Sequence, residues 1–203
     1  MPRRAALAAA HAPRFGLGRQ SALLDLVHPW GGPISPVAAA RIVVERADEQ
    51  WQLEAYYRLR HAVFVEEQAL FEWTDIDEHD PRATSLVAVS EIAGMPDAVV
   101  GSVRIYPAED GTFFGGRLAV ARGHRRSGAV GTALIAAAVA TAREHGCRRF
   151  LATVQLVSAR YFERHHFHPV APIEVRGRAH LLMEADLARF PVGGQDQAPV
   201  RAA

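Results

Sequence analysis

The chain has 203 residues, 49% of them hydrophobic, and a formal net charge of +1. This size and composition allow one sizeable hydrophobic core, and the near-neutral charge disfavours a nucleic-acid partner. Cys147 is the only cysteine, so a disulfide within the chain and a zinc site built from several cysteines are excluded. We expect Cys147 to be a buried small side chain in a protein of the reducing cytoplasm.

The two ends of the chain differ in composition from the middle. Residues 1–39 are rich in Ala, Pro and Arg and predict a flexible extension, and residues 191–203 predict a disordered tail. The opening MPRRAALAAAHAPR resembles a signal peptide, but its apolar stretch is short. No apolar run reaches the roughly 18 residues of a membrane span. We therefore expect a cytoplasmic protein without a membrane partner.

Residues 40–190 alternate between strand and helix patterns, which predicts one domain. Asp48 is the predicted N-cap of the first helix, and Gly146 is the predicted end of the second. The predicted order is β-α-β-β-β-α-β-α-β-β, carried in turn by residues 40–47, 49–68, 84–92, 98–108, 117–121, 129–145, 148–155, 158–166, 167–175 and 178–186. This order predicts an α/β fold with a mixed sheet covered by helices.

The turn before the second helix has the composition of an anion site. It reads HRRSGAVG and holds Arg125, Arg126, Gly128 and Gly131. The first amides of a helix lack partners and lie at its positive end, glycines admit a bulky anion, and arginines suit phosphate oxygens. The turn therefore predicts a pyrophosphate cradle. The alternative is a small turn with solvated arginines; the P-loop and dinucleotide motifs are both missing.

The same turn resembles the signature of the GNAT family of N-acetyltransferases, Arg/Gln-x-x-Gly-x-Gly/Ala after a short strand. Arg126 falls on its first position, Gly131 on its last, and Ala129 replaces the middle glycine. The resemblance implies a GNAT-like, mostly antiparallel central sheet and acetyl-CoA as co-substrate, with no metal. Together with the arginines it implies that the cofactor contacts Leu118, Ala119, Val120, Arg125, Arg126, Ser127, Gly128, Ala129, Val130, Gly131, Thr132, Gln155 and Ser158.

Three other segments refine the resemblance. The family pattern Asn-x-x-Ala-x-x-Leu-Tyr-x-x-x-Gly-Phe falls on residues 155–167. The segments LRHAVFVEEQ and DIDEHD resemble an acetyltransferase branch with R-x-x-V-F-V-x-E-Q on its first helix, and acyl-homoserine-lactone synthases also carry R-x-x-V-F. The segment GRAHLLMEADL resembles a GNAT group associated with bacterial nitrilase gene clusters.

A general base is harder to identify, because the strand before the turn carries no acid. Acetyl transfer by direct attack still requires the amine to lose a proton. The candidates come from the first helix and the loop after it, and we expect most of them to be solvated charges: Glu66, Glu67, Asp75, Asp77, Glu78 and Asp80. Of these, Glu67 is the predicted base.

The acid that would protonate the CoA thiolate is also displaced. The family tyrosine falls on Phe162, and Tyr161 precedes it. One residue along a helix turns a side chain by about 100°. Tyr161 could reach the sulfur only through a shifted helix start; otherwise a backbone amide or water stabilises the thiolate, or there is no transfer. We favour the second alternative, because a thiol with a pKa of roughly 8 to 9 leaves readily.

Other polar residues leave alternatives open. His165, His166 and His168 are clustered, but their spacing is not that of a known metal site, so we expect no metal. Arg104 and Tyr106 alternate on one strand and face either an acceptor groove or solvent.

The sequence therefore predicts an acetyl-CoA-dependent N-acetyltransferase with a small-molecule amine as acceptor. The alternatives are a module that binds acyl-CoA without transfer and an acyltransferase that uses a longer acyl chain. The acceptor and the oligomeric state are not encoded in a readable pattern, and a homodimer stays open.

Overall fold

The structure is a computed structural model that describes residues 41–191 and 200–201. Its strands are β1 Arg41–Arg46, β2 Thr84–Ile92, β3 Met95–Pro107, β4 Thr112–Val120, β5 Arg149–Gln155, β6 Phe167–Val175, β7 Arg178–Ala185 and β8 Val200–Arg201. Its α-helices are α1 Gln50–His61, α2 Ala129–Glu144 and α3 Ala159–Arg164. The predicted order of elements through β7 is confirmed.

The strands form one mixed sheet in the order β6-β7-β5-β4-β3-β2-β1-β8. Every neighbouring pair is antiparallel except β4 and β5, which are parallel. The predicted fold class, a mostly antiparallel sheet flanked by helices, is confirmed. The predicted extension, residues 1–39, and most of the predicted tail lie outside the described residues. β8 pairs with β1 although its sequence carries no strand pattern.

Several predicted boundaries differ from the structure. The N-cap of α1 is Glu49, not Asp48, because Glu49 and Gln52 form a reciprocal capping box. After α1 the chain continues as a π-helix over Ala62–Glu67. β3 begins at Met95 and β4 at Thr112, both earlier than predicted, because pairing between strands extends them beyond the apolar alternation.

The main core lies between the sheet and α2. Leu134 is fully buried, and a Cβ at Gly101 on β3 would lie 2.7 Å from the side chains of Leu134 and Val130. The glycine therefore lets α2 approach the sheet closely. Burying a leucine of this kind contributes roughly 2 kcal/mol. None of the helices in residues 41–191 has the length and apolar character required to cross a membrane.

β4 and β5 separate halfway along their length. Their pairing ends at Gly115 and Ala152; beyond it β4 pairs only with β3, and β5 only with β7, in the described sheet. A β-bulge at Arg117, whose φ is 55°, shifts the register between β3 and β4 at the same level. The divergence opens a gap through the middle of the sheet.

Candidate functional site

A cleft of about 710 Å³ passes through the gap between β4 and β5. One end is formed by the turn at residues 125–132, which we call the turn end. The other end contacts residues 76–79 and is called the loop end; residues 75–80, with four acids, are the aspartate loop. The predicted cofactor residues Leu118, Val120, Gln155 and Ser158 line the cleft between the two ends.

The turn end presents backbone donors. Gly128 is the N-cap of α2 with φ 69°, a conformation that favours glycine. The Ala129 amide donates to Ser127 Oγ at 3.2 Å, whereas the amides of Val130 and Gly131 have no hydrogen-bond partner among the described residues. Unpaired amides at the positive end of a 16-residue helix are suited to an anion.

The two arginines of the turn have different environments. Arg125 forms a bidentate pair with Glu67, at 2.5 and 2.9 Å, and its Nε donates to Val120 O at 2.7 Å. Arg126 is exposed and has no ion-pair or hydrogen-bond partner in the described part of the chain. Arg126 is therefore the arginine that is free to meet a phosphate, while Arg125 is held by protein groups.

The predicted base Glu67 lies at the turn end. The hydrogen bond from Arg125 lowers the pKa of the Glu67 carboxyl below its ordinary value. A carboxylate held in this way is a weak proton acceptor. The geometry therefore supports Glu67 as the group that fixes Arg125, and it gives little support for a role in deprotonating an amine.

Tyr161 occupies the space that Gly131 leaves free. Its hydroxyl donates to Gly128 O at 3.1 Å. A Cβ added at Gly131 would lie 2.5 Å from the hydroxyl oxygen of Tyr161. Thr132 Oγ1 lies 2.7 Å from His165 Nε2, which closes the cluster. Phe162 packs edge-on against Phe167. The tyrosine hydroxyl is thus at the turn that holds the predicted pyrophosphate site.

The loop end rests on a fully buried arginine. Arg60 of α1 donates from Nε to Asp75 Oδ2 at 2.7 Å and from Nη1 to Asp80 Oδ1 at 2.5 Å. Nη1 also donates to the Tyr56 hydroxyl at 2.9 Å. Burial acts to lower the pKa of Arg60, but the hydrogen bond to Asp80 and the other acidic neighbours raise it above its usual value. Arg60 is therefore a permanent cation in the core.

Two further arginines complete this network. Arg104 on β3 donates to Asp77 and Asp80 at 2.5 to 2.7 Å, and Arg117 at the bulge donates to Asp77 Oδ2 at 3.0 Å and to Asp75 O at 2.9 Å. Burial acts to raise the pKa of Asp77, but the hydrogen bond from Arg104 leads the effects that lower it from 3.8 to about 2. Three arginines and three aspartates balance one another in charge.

This network corrects one expectation and decides between two alternatives that the sequence left open. Asp75 and Asp80 are buried side chains, so the expectation that the loop acids are solvated is wrong for them. Arg104 is 3% exposed, so its strand face is not a solvent face. Glu66 and Glu78 are exposed as expected. The sequence contains all six charges, but no spacing rule links residues that are 15 to 42 positions apart.

Three stacked aromatic rings and the tip of the β6–β7 hairpin enclose the loop end. His79, Tyr106 and Phe114 stack in series, with ring centroids 4.2 and 5.7 Å apart. The tip of the β6–β7 hairpin covers the cleft, because Arg178 donates to the carbonyls of Gln68 and Ala69 at 3.2 Å. The alternation of Arg104 and Tyr106 was the only sequence signal for this surface.

His180 on β7 was not predicted. It lines the cleft, pairs in register with Gln155, and is 8% exposed. Its Nδ1 lies 2.8 Å from Arg178 O; because a carbonyl can only accept, Nδ1 is the donor. Nε2 is left without a hydrogen-bond partner in the described residues. With Nδ1 donating to the carbonyl, Nε2 is the ring nitrogen that can accept a proton.

The inner wall of the cleft is apolar. It reaches buried core residues on the α2 side of the sheet: Val103, Ile135, Ala138, Phe150, Val154 and Phe167. Cys147 is buried, as expected, and burial raises its thiol pKa; it does not line the cleft.

Comparisons with known proteins agree with this geometry. Residues 45–167 match the model of the acetyltransferase (GNAT) family. A protein from Lactobacillus plantarum assigned as an N-acetyltransferase is 24% identical with a TM-score of 0.64, over 72% of this chain and 98% of its own. Escherichia coli ElaA is 24% identical with a TM-score of 0.59, over 71% of this chain and 99% of its own. The acyl-homoserine lactone synthase BjaI, solved with SAM and isopentyl-CoA, is 22% identical with a TM-score of 0.56, over 73% of this chain and 83% of its own.

Proposed function

Because this chain belongs to the acetyltransferase (GNAT) family and is an acyltransferase, we propose that it transfers the acetyl group of acetyl-CoA to an amine of a small molecule. One observation carries the proposal: the turn whose Gly128 and Gly131 line one end of the cleft also holds the amides of Val130 and Gly131 and the guanidinium of Arg126, none of which has a hydrogen-bond partner among the described residues. That arrangement provides donors for a pyrophosphate and a channel for the arm attached to it.

The cofactor would extend from the turn along β4. The edge of β4 that faces β5 has no strand partner in the described sheet beyond Gly115, so the amides of the pantetheine arm can pair with it as a further strand would, up to Val120, whose carbonyl accepts from Arg125. Three residues of extended strand span about 10 Å. The thioester of a cofactor anchored at the turn therefore comes near the bulge at Arg117, where the loop end begins.

The reaction is direct attack. The amine nitrogen forms a bond to the acyl carbon, the C–S bond breaks, and the amine proton ends on the departing sulfur or on a base. We assign the base to His180, which lines the cleft and whose Nε2 has no hydrogen-bond partner among the described residues. Glu67 is occupied by Arg125 at the other end. No covalent intermediate is needed, and buried Cys147 takes no part.

The departing thiolate receives no tyrosine proton in this proposal. The Tyr161 hydroxyl donates a hydrogen bond to Gly128 O at the turn end. In this proposal the length of the pantetheine arm separates it from the thioester. Phe162 has no proton to donate. A thiol with a pKa near 8 to 9 is a good leaving group without an acid. This is the alternative favoured from the sequence, and it stays a prediction.

A second candidate is transfer of a longer acyl group. The apolar inner wall supports it, because a chain longer than acetyl could extend from the thioester toward Phe150 and Phe167. BjaI, which shares the fold, was solved with isopentyl-CoA. The acetyl group stays the primary proposal, and kcat/KM compared across acetyl-, butyryl- and isovaleryl-CoA separates the two.

The experiment that tests the function is release of CoA thiol with a panel of amines, read together with the mass of the acylated amine. Transfer yields thiol and product in equal amounts. A binding module yields tight CoA binding by calorimetry and no product. We also propose a cytoplasmic location. Membership of the GNAT group associated with nitrilase gene clusters stays a proposal, because it rests on the segment GRAHLLMEADL alone.

A further inference from the structure

The loop end carries one positive charge that no acid in the described residues neutralises. Arg176, at the tip of the β6–β7 hairpin, lines the cleft and is exposed. Its guanidinium has no ion-pair or hydrogen-bond partner within residues 41–191 and 200–201. In the described residues its guanidinium makes a cation–π contact with the Phe71 ring, and the guanidinium carbon lies 4.6 Å from the ring centroid.

Arg117 approaches the same ring. Its guanidinium carbon also lies 4.6 Å from the Phe71 centroid, so the two guanidinium groups are at most twice that distance apart. Its Nε and Nη2 donate to Asp75 O and Asp77, whereas Nη1 has no hydrogen-bond partner among the described residues. Its side chain is 19% exposed. Each arginine therefore has donors left over at the cleft.

The neighbouring acids do not cancel Arg176. Asp77 and Glu78 are the acids that line the cleft in the described chain. Asp77 is fully engaged by Arg104 and Arg117 within the balanced network. Glu78 has an 81% exposed side chain, and its ionic neighbour is His79 at 3.8 Å. Arg176 is therefore the guanidinium of the loop end that has no acidic partner in the described chain, and Arg117, although paired with Asp75 and Asp77, keeps its Nη1 donor for a ligand.

From this geometry, and resting on the proposed function, we infer that the acceptor is an amine that also carries a carboxylate, such as an α-amino acid. Its carboxylate would be held by Arg117 Nη1 and Arg176 beside Phe71. Planar guanidinium groups are well suited to carboxylate oxygens. The Phe71 ring fixes both arginines, which reduces the entropy lost on binding.

The test compares amino acids with their own amides as acceptors for acetyl-CoA: glycine, L-leucine and L-phenylalanine against glycinamide, L-leucinamide and L-phenylalaninamide. The amide's amine is the weaker base, so more of it is unprotonated at neutral pH, which favours the amide when the carboxylate is not recognised. A preference for the acid therefore reports recognition of the carboxylate. We expect kcat/KM to favour the acids by roughly tenfold to a hundredfold.

Arg176→Gln should remove that preference by raising KM for the acids, with KM for acetyl-CoA unchanged. The hairpin tip is exposed, so this variant should fold. Arg58→Gln, which replaces an exposed arginine of α1 outside the cleft, is the matched control and should keep the preference. Equal use of acids and amides, or an effect of Arg176→Gln on KM for acetyl-CoA instead, overturns the inference and leaves the transfer activity standing.

A binding measurement tests the site without turnover. The CoA-bound protein is titrated with glycine and with glycinamide while the arginine Nε–Hε resonances are followed by NMR. The Arg176 resonance, assigned by its loss in Arg176→Gln, and that of Arg117 should shift with glycine only. If neither shifts, the carboxylate site is refuted whether or not an amine is acetylated; if both shift but no amine is acetylated, the proposed function fails and the site stands.

Discussion

The two ends of the cleft are built in opposite ways. The turn end comes from one continuous segment, residues 125–132, and offers Arg126 and the amides of Val130 and Gly131, which have no partners among the described residues. The loop end is assembled from α1, β3, β4 and the aspartate loop, and its charges are buried and paired. The turn end offers its donors to an anion from outside, whereas the loop end pairs its three network arginines with its own aspartates and leaves Arg176, at its surface, without an acidic partner in the described chain.

The difference shows how charge is used for two purposes in one cleft. Unpaired donors at the surface gain free energy only when the ligand arrives, so they contribute to affinity. Paired charges in the interior chiefly fix the shape of the loop end, because losing one partner leaves another charge buried without a partner. Stability and affinity should therefore respond to different substitutions.

The largest effect should come from removing the buried cation. Arg60→Ala leaves Asp75 and Asp80 without their principal partner, and breaking such a pair costs about 3 to 5 kcal/mol. Urea unfolding, monitored by circular dichroism, measures the free energy of unfolding. Arg58→Ala on the same helix is exposed and should change it by about 0.5 kcal/mol or less. Similar losses in the two variants would contradict the assignment of the network as a structural support.

The next effect tests whether the chemistry lies away from the turn end. His180→Gln removes the Nε2 lone pair while keeping a side chain that can donate to Arg178 O. We expect kcat to fall by about a hundredfold or more, with KM for acetyl-CoA little changed and the acidic limb of the pH–rate profile lost. A loss smaller than tenfold with that limb intact would exclude His180 as the base.

At the turn end, Arg126→Glu should act on affinity alone. It replaces a phosphate partner by a repelling charge, so CoA binding should weaken by about 2 kcal/mol. Calorimetry measures the affinity, and thermal unfolding should be nearly unchanged because Arg126 has no described partner to lose. Gly131→Val should also weaken binding, since it must displace Tyr161. Unchanged CoA affinity in a folded Arg126→Glu variant would refute the cradle.

Acid should separate the ends in a similar way. The pKa of Asp77 is depressed to about 2 from 3.8, so its contribution to stability is complete above pH 4 and is lost as the pH falls from about 4 to 2. Asp77→Asn should therefore be less stable at pH 7, by on the order of 2 kcal/mol, and the gap should close near pH 2. Glu78→Gln, at a mostly exposed acid, is the control. A gap independent of pH would contradict the ion-pair origin of this stability.

The sequence revealed the turn end far better than the loop end. Arg126, Gly128 and Gly131 lie within one turn of chain, and helix capping and glycine rules apply to neighbours of that kind. Strand and helix order followed from apolar periodicity for the same reason. The π-helix at Ala62–Glu67 and the early start of β4 depend on tertiary packing and cross-strand pairing, which local patterns do not carry.

The sequence indicated several charged residues of the loop end, but it did not indicate which of them pair with one another. The acids of the aspartate loop and Arg104 stood out as charged residues, yet their burial depends on a match with Arg60 and Arg117 across distant elements. His180 lies in the segment GRAHLLMEADL, which indicated only a subgroup resemblance and no role for its histidine. Its candidacy rests on a carbonyl contact and a cleft that only the folded chain creates.

The smallest effect concerns Tyr161. Its hydroxyl belongs to the turn end, so Tyr161→Phe should lower kcat by less than about tenfold, below the usual contribution of a positioned acid. Steady-state kinetics with saturating acetyl-CoA measures this. A hundredfold loss with unchanged acetyl-CoA binding would make Tyr161 the acid and place the thioester near the turn.

The most direct test of the account is the balance between thiol release and product formation by the intact protein. With acetyl-CoA and an acceptor amine, mass spectrometry should find one acetylated amine for each CoA thiol released, and Arg126→Glu should require a higher acetyl-CoA concentration to do the same. Tight CoA binding at the turn with no acylated amine, across both short and longer acyl-CoAs, would contradict transfer and leave a module that only binds acyl-CoA.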